Sequence, residues 1–213
     1  VMSHITNISV SELGSVAQYS YTGTSRRVWA ILGGVIWQTV AAASAGAGYD
    51  GLDRFGRLTD LHYQRNSGFS TIHQYEYGYD KAGNRTFAKV TQQGHVNHRS
   101  WLYGYDGLQR LVSASMGALS PSNDGLLPSP IPNTNVWGLD NLGNWTGGKN
   151  NPGLLQTGDF DGDGDVDSAT IDHTVNSANE LLEVISNGTS STLLRNDTAG
   201  SVTSDGDYIY QYD

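Results

Sequence analysis

Apolar and polar positions alternate along much of this chain. The clearest case is Tyr75-Glu76-Tyr77-Gly78-Tyr79, with a tyrosine at every second position. Successive side chains of a strand point to opposite faces, so these tyrosines share one face. Asp80-Lys81-Ala82-Gly83-Asn84-Arg85 follows at once. An Asp side chain can bond the backbone two residues on, and Gly accepts a positive φ, so this stretch predicts a tight turn and then a new strand. The same reading predicts strands over 5–10, 16–21, 49–50, 62–63, 75–80, 87–90, 101–106, 111–115 and 170–175, with turns around Gly56, Gly68, Gly83, Gly94 and Gln109. Amphipathic runs of helical period are scarce, so the expected class is all-β, built of antiparallel hairpins.

The turn recurs. Its copies begin at Asp53, Asp80, Asp106, Asp140, Asn176 and Asp197, and Tyr208, Tyr210, Tyr212 and Asp213 open a further one. The fourth position is Gly56, Gly83, Gln109, Gly143, Asn179 and Gly200 in turn. Gln109 departs from the pattern. Asn179 tolerates the left-handed region better than most residues. Successive copies start 27, 26, 34, 36 and 21 residues apart. So uneven a step fits hairpins with loops of variable length, not a strict solenoid. The repeat sheet is expected over 49–213, with leading hairpins over 1–48. A loop over 117–135 carries Pro121, Pro128, Pro130 and Pro132 and reads as a surface excursion. Strand–turn–strand resumes over 136–156, with Trp137 and Trp145 expected in the core.

The most apolar run, 28–48, is long enough to cross a bilayer and is flanked by Arg26-Arg27. Gly33-Gly34, however, separates two β-branched arms that each carry a Trp, over 27–32 and 35–40, which is a hairpin signature. No membrane span is therefore expected.

Composition narrows the function. The formal charge of the 213 residues is −9, from 21 acidic and 12 basic side chains. That disfavours nucleic acid and anionic membranes, which need a basic face. The absence of cysteine removes disulfides, thiol nucleophiles and thiolate metal sites. The six histidines lack metalloprotease spacing, and no nucleophile elbow or phosphate-cradling loop occurs. The N-terminus shows no basic region followed by an apolar run, and the C-terminus falls inside a repeat; both are expected of a piece of a longer protein.

One stretch carries chemistry. Asp159-Phe160-Asp161-Gly162-Asp163-Gly164-Asp165-Val166-Asp167 places five carboxylates at alternate positions. Like charges this close repel unless a cation screens them. An all-oxygen set at positions 1, 3, 5, 7 and 9, with Gly at 6, is what a calcium loop uses. Asp159, Asp161, Asp163 and Asp167 are the expected side-chain ligands, and Asp165 would give its main-chain oxygen. Position 12 is Thr170 rather than Glu, so weak Ca²⁺ binding is expected.

Tyr79-Asp80-Lys81-Ala82-Gly83-Asn84-Arg85, Tyr49-Asp50 with the Asp53 turn, Tyr105-Asp106-Gly107-Leu108-Gln109-Arg110-Leu111 and Leu139-Asp140-Asn141-Leu142-Gly143-Asn144-Trp145 resemble the units of RHS or YD-repeat proteins, which include teneurins and the shells of bacterial polymorphic toxins. The resemblance covers 49–213. The acidic loop resembles dockerin- and integrin-type calcium loops. The family resemblance implies a curved YD-repeat sheet, part of a hollow β-shell that often encloses a C-terminal toxin or other cargo. It implies a secreted or cell-surface location, and partners in the rest of the parent polypeptide and such a toxin. The self-cleaving segment and toxin domain of the family are not in this stretch, so its expected share of the function is structural and non-enzymatic. Two alternatives stand beside it. One is a calcium-dependent adhesion or carbohydrate-binding module that meets cell-surface glycans through exposed aromatics. The other is a glycosidase with paired carboxylates, weakened because nearly every Asp is already assigned to a turn or to the calcium loop.

Overall fold

A computed structural model of the chain describes residues 5–10, 14–22, 26–32, 36–39, 51–65, 70–94, 99–146, 152–187, 189–197, 199, 201–205 and 208–211. Tyr49, Asp50, the turns at Gly33-Gly34 and Gly68, the run 41–48, His4, His95, His98, Gly200, Tyr212 and Asp213 lie outside these residues. Among the described residues there is no helix, and the chain is all-β. No described helix is long and apolar enough to cross a membrane.

The chain divides into two compact units. The first comprises Val1–Trp101 with Pro121–Asp124. It holds β1 (Asn7–Val10), β2 (Gly14–Thr22), β3 (Arg26–Leu32), β4 (Ile36–Thr39), β5 (Asp60–Arg65), β6 (Thr71–Tyr79) and β7 (Arg85–Gln92). Each pairs antiparallel with the next in sequence. The run 28–48 thus contributes β-strand, with Leu32 opposite Ile36 across β3 and β4. β8 (Ser100–Tyr105) spans the boundary between the units. The second unit comprises Leu102–Ser120 and Gly125–Asp213. There β9 (Leu111–Gly117), β10 (Asn133–Trp137), β11 (Leu154–Gly158), β12 (Asp167–Val175), β13 (Leu181–Ser186) and β14 (Thr189–Leu193) again pair in chain order. β15 (Arg195–Asn196) and β16 (Val202–Ser204) form a separate two-stranded ribbon.

Register sorts the side chains by chemistry. Leu61 faces Tyr75 and Tyr63 faces His73, while Tyr75 and Tyr77 meet Val90 and Ala88 of β7. Direct partners share a face, so this face is apolar and aromatic. The other face pairs Asp60 with Glu76, His62 with Gln74 and Glu76 with Lys89, the last as an ion pair at 2.7 Å. Gly78 has a steric reason to be glycine: a β-carbon there would lie 2.2 Å from the Phe87 ring.

Among the described residues, neither unit shows a thick core. Among the described residues the buried apolar side chains are Ala17, Ala30, Ala88, Ala114 and Leu154. Every residue of β6 is only half-buried. Substantial contacts between strands run between hydrogen-bonded neighbours. Among the described residues, β1 to β7 of the first unit and β9 to β14 of the second are therefore each a single β-layer, where an ordinary domain packs two or three.

Candidate functional site

Two constructions position the polar side chains: the repeated turn and the acidic loop. In the turn, the Asp80 amide donates to the Asn84 carbonyl at 2.9 Å, and the Gly83 amide donates back to the Asp80 carbonyl at 3.2 Å. Asp80 Oδ1 accepts the Asn84 amide at 2.8 Å, and Oδ2 accepts Asn84 Nδ2 at 2.8 Å. One carboxylate thus holds both the backbone and the side chain of the fifth residue. Arg57 Nε does the same to Asp53 Oδ2 at 2.5 Å, Arg110 Nε to Asp106 at 2.7 Å and Asn144 Nδ2 to Asp140 at 2.8 Å. The fifth copy inverts the chemistry: Asn176 Nδ2 donates to Glu180 Oε2 at 2.6 Å. In the sixth, Asp197 Oδ1 accepts the amides of Ala199 and Ser201.

The fourth position is left-handed in each copy from the first to the fifth, at φ 74° for Gly56, 99° for Gly83, 65° for Gln109, 95° for Gly143 and 64° for Asn179. Gln109 thus occupies the glycine slot with its backbone in the same region.

The fifth residue also reaches the next turn. Arg57 Nη1 donates to the Asp80 carbonyl at 3.4 Å in the first unit. In the second, Arg110 Nη1 donates to the Asp140 carbonyl at 2.6 Å, and Asn144 Nδ2 to Asn179 Oδ1 at 2.6 Å. These links stitch neighbouring turns along one edge. They were not found in the sequence, where the turn was assigned to its Asp and Gly. The recurrence of the fifth position as Arg, Asn, Arg and Asn opposite Asp was the available signal.

The hydrogen bonds depress the turn carboxyls. The Asn84 side chain holds Asp80 below the ordinary carboxylate value, and the Asn144 side chain does so for Asp140. The Arg110 amide leads at Asp106. At Asp53 desolvation pushes upward, but the bonds from Arg57 and Phe55 outweigh it. Each donor stabilises the ionised form, which is why the net direction is downward.

The acidic loop joins β11 to β12 and closes a hairpin whose last pair is Gly158 opposite Asp167. Gly162 and Gly164 sit at φ 83° and 91° and supply the bends. Asp159 accepts the Gly162 amide at 2.7 Å and the Gly164 amide at 3.2 Å. Asp167 Oδ2 accepts the Phe160 amide at 2.8 Å, folding the far end of the loop onto its start. Carboxylate oxygens of Asp159, Asp161 and Asp167 lie within 4.8 Å of one another. Asp163 and Asp165 are not part of that cluster; Asp163 Oδ1 accepts the Asp165 amide at 2.8 Å. Three convergent hard oxygens suit Ca²⁺, whose remaining ligands would be main-chain oxygens and water. Thr170, at the position where a longer motif has Glu, lies in β12 opposite Leu155.

Trp145 stands outside the β11–β12 hairpin that the loop closes. It reaches β12 by accepting the His173 amide at 2.8 Å, and its ring stacks on His173 at 5.2 Å and lies 6.4 Å from Trp137. Both tryptophans are half-buried. β11 instead lies between β10 and β12.

No protein-family model matches the sequence, and no curated protein matches it. The fold has solved counterparts. The chain is similar in fold to a stretch of TcdB2-TccC3. Against the crystal structure of TcdB2-TccC3 without hypervariable C-terminal region, the TM-score is 0.53 at 14% identity, covering 89% of this chain and 10% of that one. Against TcdB2-TccC3-TEV it is 0.51 at 15% identity, covering 87% and 10%. At such identity the likeness is one of fold. The chain spans about a tenth of the length of those chains.

Proposed function

We propose that this chain is a structural, non-enzymatic segment of a large exported YD-repeat protein. Its hairpins build part of a β-shell around a C-terminal toxin or other cargo, and its acidic loop binds Ca²⁺. The observation that carries the reading is the single β-layer itself: strands paired in chain order and stitched at their turns, with half-buried faces that call for a further layer or an enclosed volume. The likeness to a tenth of TcdB2-TccC3 supports it. The location, secreted or cell surface, follows from the same reading, since weak Ca²⁺ sites are filled where calcium is near millimolar.

Calorimetric titration tests the metal part. Wild type should bind one Ca²⁺, and Asp161→Ala should bind it more weakly. No heat and no change in melting temperature at millimolar calcium would leave a solvated acidic loop. Protease challenge of the parent polypeptide tests the shell part. The downstream cargo should resist digestion while this segment is intact and become sensitive when 51–146 is deleted; equal sensitivity in both would refute enclosure.

A second reading is favoured by the aromatic face of the first unit. Leu61, Tyr63, His73, Tyr75 and Tyr77 line an open groove of about 380 Å³. Tyr63 meets Tyr75 edge-on at 6.2 Å, and His73 stacks on Tyr75 at 6.1 Å. Such a platform suits the faces of sugar rings, and a glycan array read with wild type and Tyr75→Ala tests it.

A further inference from the structure

The aromatic face of the first unit is sorted by charge as well as by polarity. Leu61, Tyr63 and Arg65 alternate along β5, which pairs with β4 without a register shift as far as Arg65, so these three side chains share that face. The shift between β5 and β6 is taken up by Ile72 of β6. Arg65 is exposed, and among the described residues no carboxylate pairs with it. It stands past Tyr63 and His73, at one end of the groove that Tyr63, Tyr75 and Tyr77 line.

Arg85 stands at the other end, its guanidinium 4.4 Å from the centre of the Tyr77 ring. Stacking engages the face of a guanidinium, whereas a carboxylate is met by the N–H donors around its edge. The contact with Tyr77 therefore orients Arg85 without using the edge that would receive an acid. From His73 to Tyr77 the groove runs about 13 Å at the rise of a strand. The carboxylates of β5 to β7 are on the opposite face. There Asp60 meets His62 Nε2 at 2.8 Å and Gln74 at 3.1 Å, and Glu76 pairs with Lys89. A third arginine of the aromatic side, Arg57 over Tyr79, is already bonded to Asp53. In a chain of net charge −9, the aromatic face of these three strands carries arginines and no carboxylate.

An aromatic strip between two cations suits a polymer of rings that bears negative charge. Single-stranded nucleic acid needs a basic groove that follows its backbone phosphate by phosphate, and two arginines in an acidic chain do not make one. A carboxylated sugar needs only one cation for each acid group. We propose that the groove binds an oligosaccharide carrying carboxylates, as uronic and sialic acids do, with its rings lying along Tyr63, Tyr75 and Tyr77 and its acid groups on Arg65 and Arg85. The proposal rests on the sugar-platform reading above and adds the charge class of the sugar.

The test is an array of galacturonate, hyaluronan and sialylated oligosaccharides beside their methyl esters and a set of neutral glycans, probed with the full chain. Retention on the free acids is expected, about tenfold weaker on the esters, and it should fall as salt is added. Arg65→Gln should show the same loss of about tenfold on the free acids, as for one charge-assisted contact. That variant changes an exposed side chain with no ion pair, and circular dichroism checks that it keeps its strand signal. Equal retention of acids and esters, or of neutral glycans alone, overturns the proposal and keeps the sugar platform. Retention of no glycan overturns both. Undiminished binding in Arg65→Gln with Arg85→Gln places the acid groups elsewhere, and tighter binding of oligo-dT than of any glycan makes the strip a nucleic-acid site; either result overturns it.

Discussion

Asn176 and Glu180 make the turn's side-chain hydrogen bond in the opposite sense from the first four copies, with the amide at the first position and the carboxylate at the fifth. What the turn requires is a donor opposite an acceptor, not a given residue at either place. Asn176→Asp should therefore be destabilising, because two carboxylates would face each other, and adding Glu180→Asn should restore stability; a denaturant double-mutant cycle with additive effects would contradict this. Gly83 makes a second residue-scale case. A β-carbon there would meet only Arg57 Nη1, at 3.6 Å, so space is not what demands glycine. Its φ of 99° is. Gly83→Val should cost about 1–3 kcal/mol of unfolding free energy through backbone strain alone. A loss within about 0.5 kcal/mol, the scatter of surface changes, would place Gly83 outside the left-handed region in solution. The turn's backbone logic was legible because Asp and Gly act within a few residues of themselves. The fifth residue's second bond, from Arg110 to the Asp140 carbonyl, was not, because it joins positions 30 apart in sequence.

Among the elements, the alternating tyrosines of β6 placed themselves, since a period of two needs no knowledge of the partner strand. β11 gave no such signal. Leu154–Gly158 is short and does not alternate cleanly, and its place between β10 and β12 follows from pairing, which is not local. The acidic loop was readable as a carboxylate cluster; which three of its five side chains converge was not, because that depends on how the loop bends at Gly162 and Gly164. At this scale the turns also predict an acid response. Hydrogen bonds from Asn84, Arg110 and Asn144 hold Asp80, Asp106 and Asp140 below the ordinary carboxylate value in the folded state. Their contribution is then present above the unfolded-state pKa, about 4, and is lost as pH falls through the depressed folded-state values. The melting temperature should hold from neutral pH to about 5 and fall below about 4, less steeply in Asp140→Asn than in wild type. Parallel acid limbs in the two proteins would mean the Asp140 bonds add nothing to stability.

At the scale of the molecule, the governing fact is that each unit is one β-layer whose buried apolar side chains, among the described residues, are four alanines and a leucine. A layer with half-buried faces is poorly explained as a free-standing domain and well explained as part of a larger wall. In the proposed wall, chain-order pairing would add one hairpin at a time, and the turn-to-turn bonds within each unit would hold its edge. The most direct test is a cryo-EM reconstruction of the longest native polypeptide that contains this sequence. The account predicts that β5 to β7 and, separately, β9 to β13 each appear as a single layer of a larger β-wall, with no second layer of this chain packed against either. A structure in which these strands fold back into a two-layer sandwich with its own packed core would contradict it.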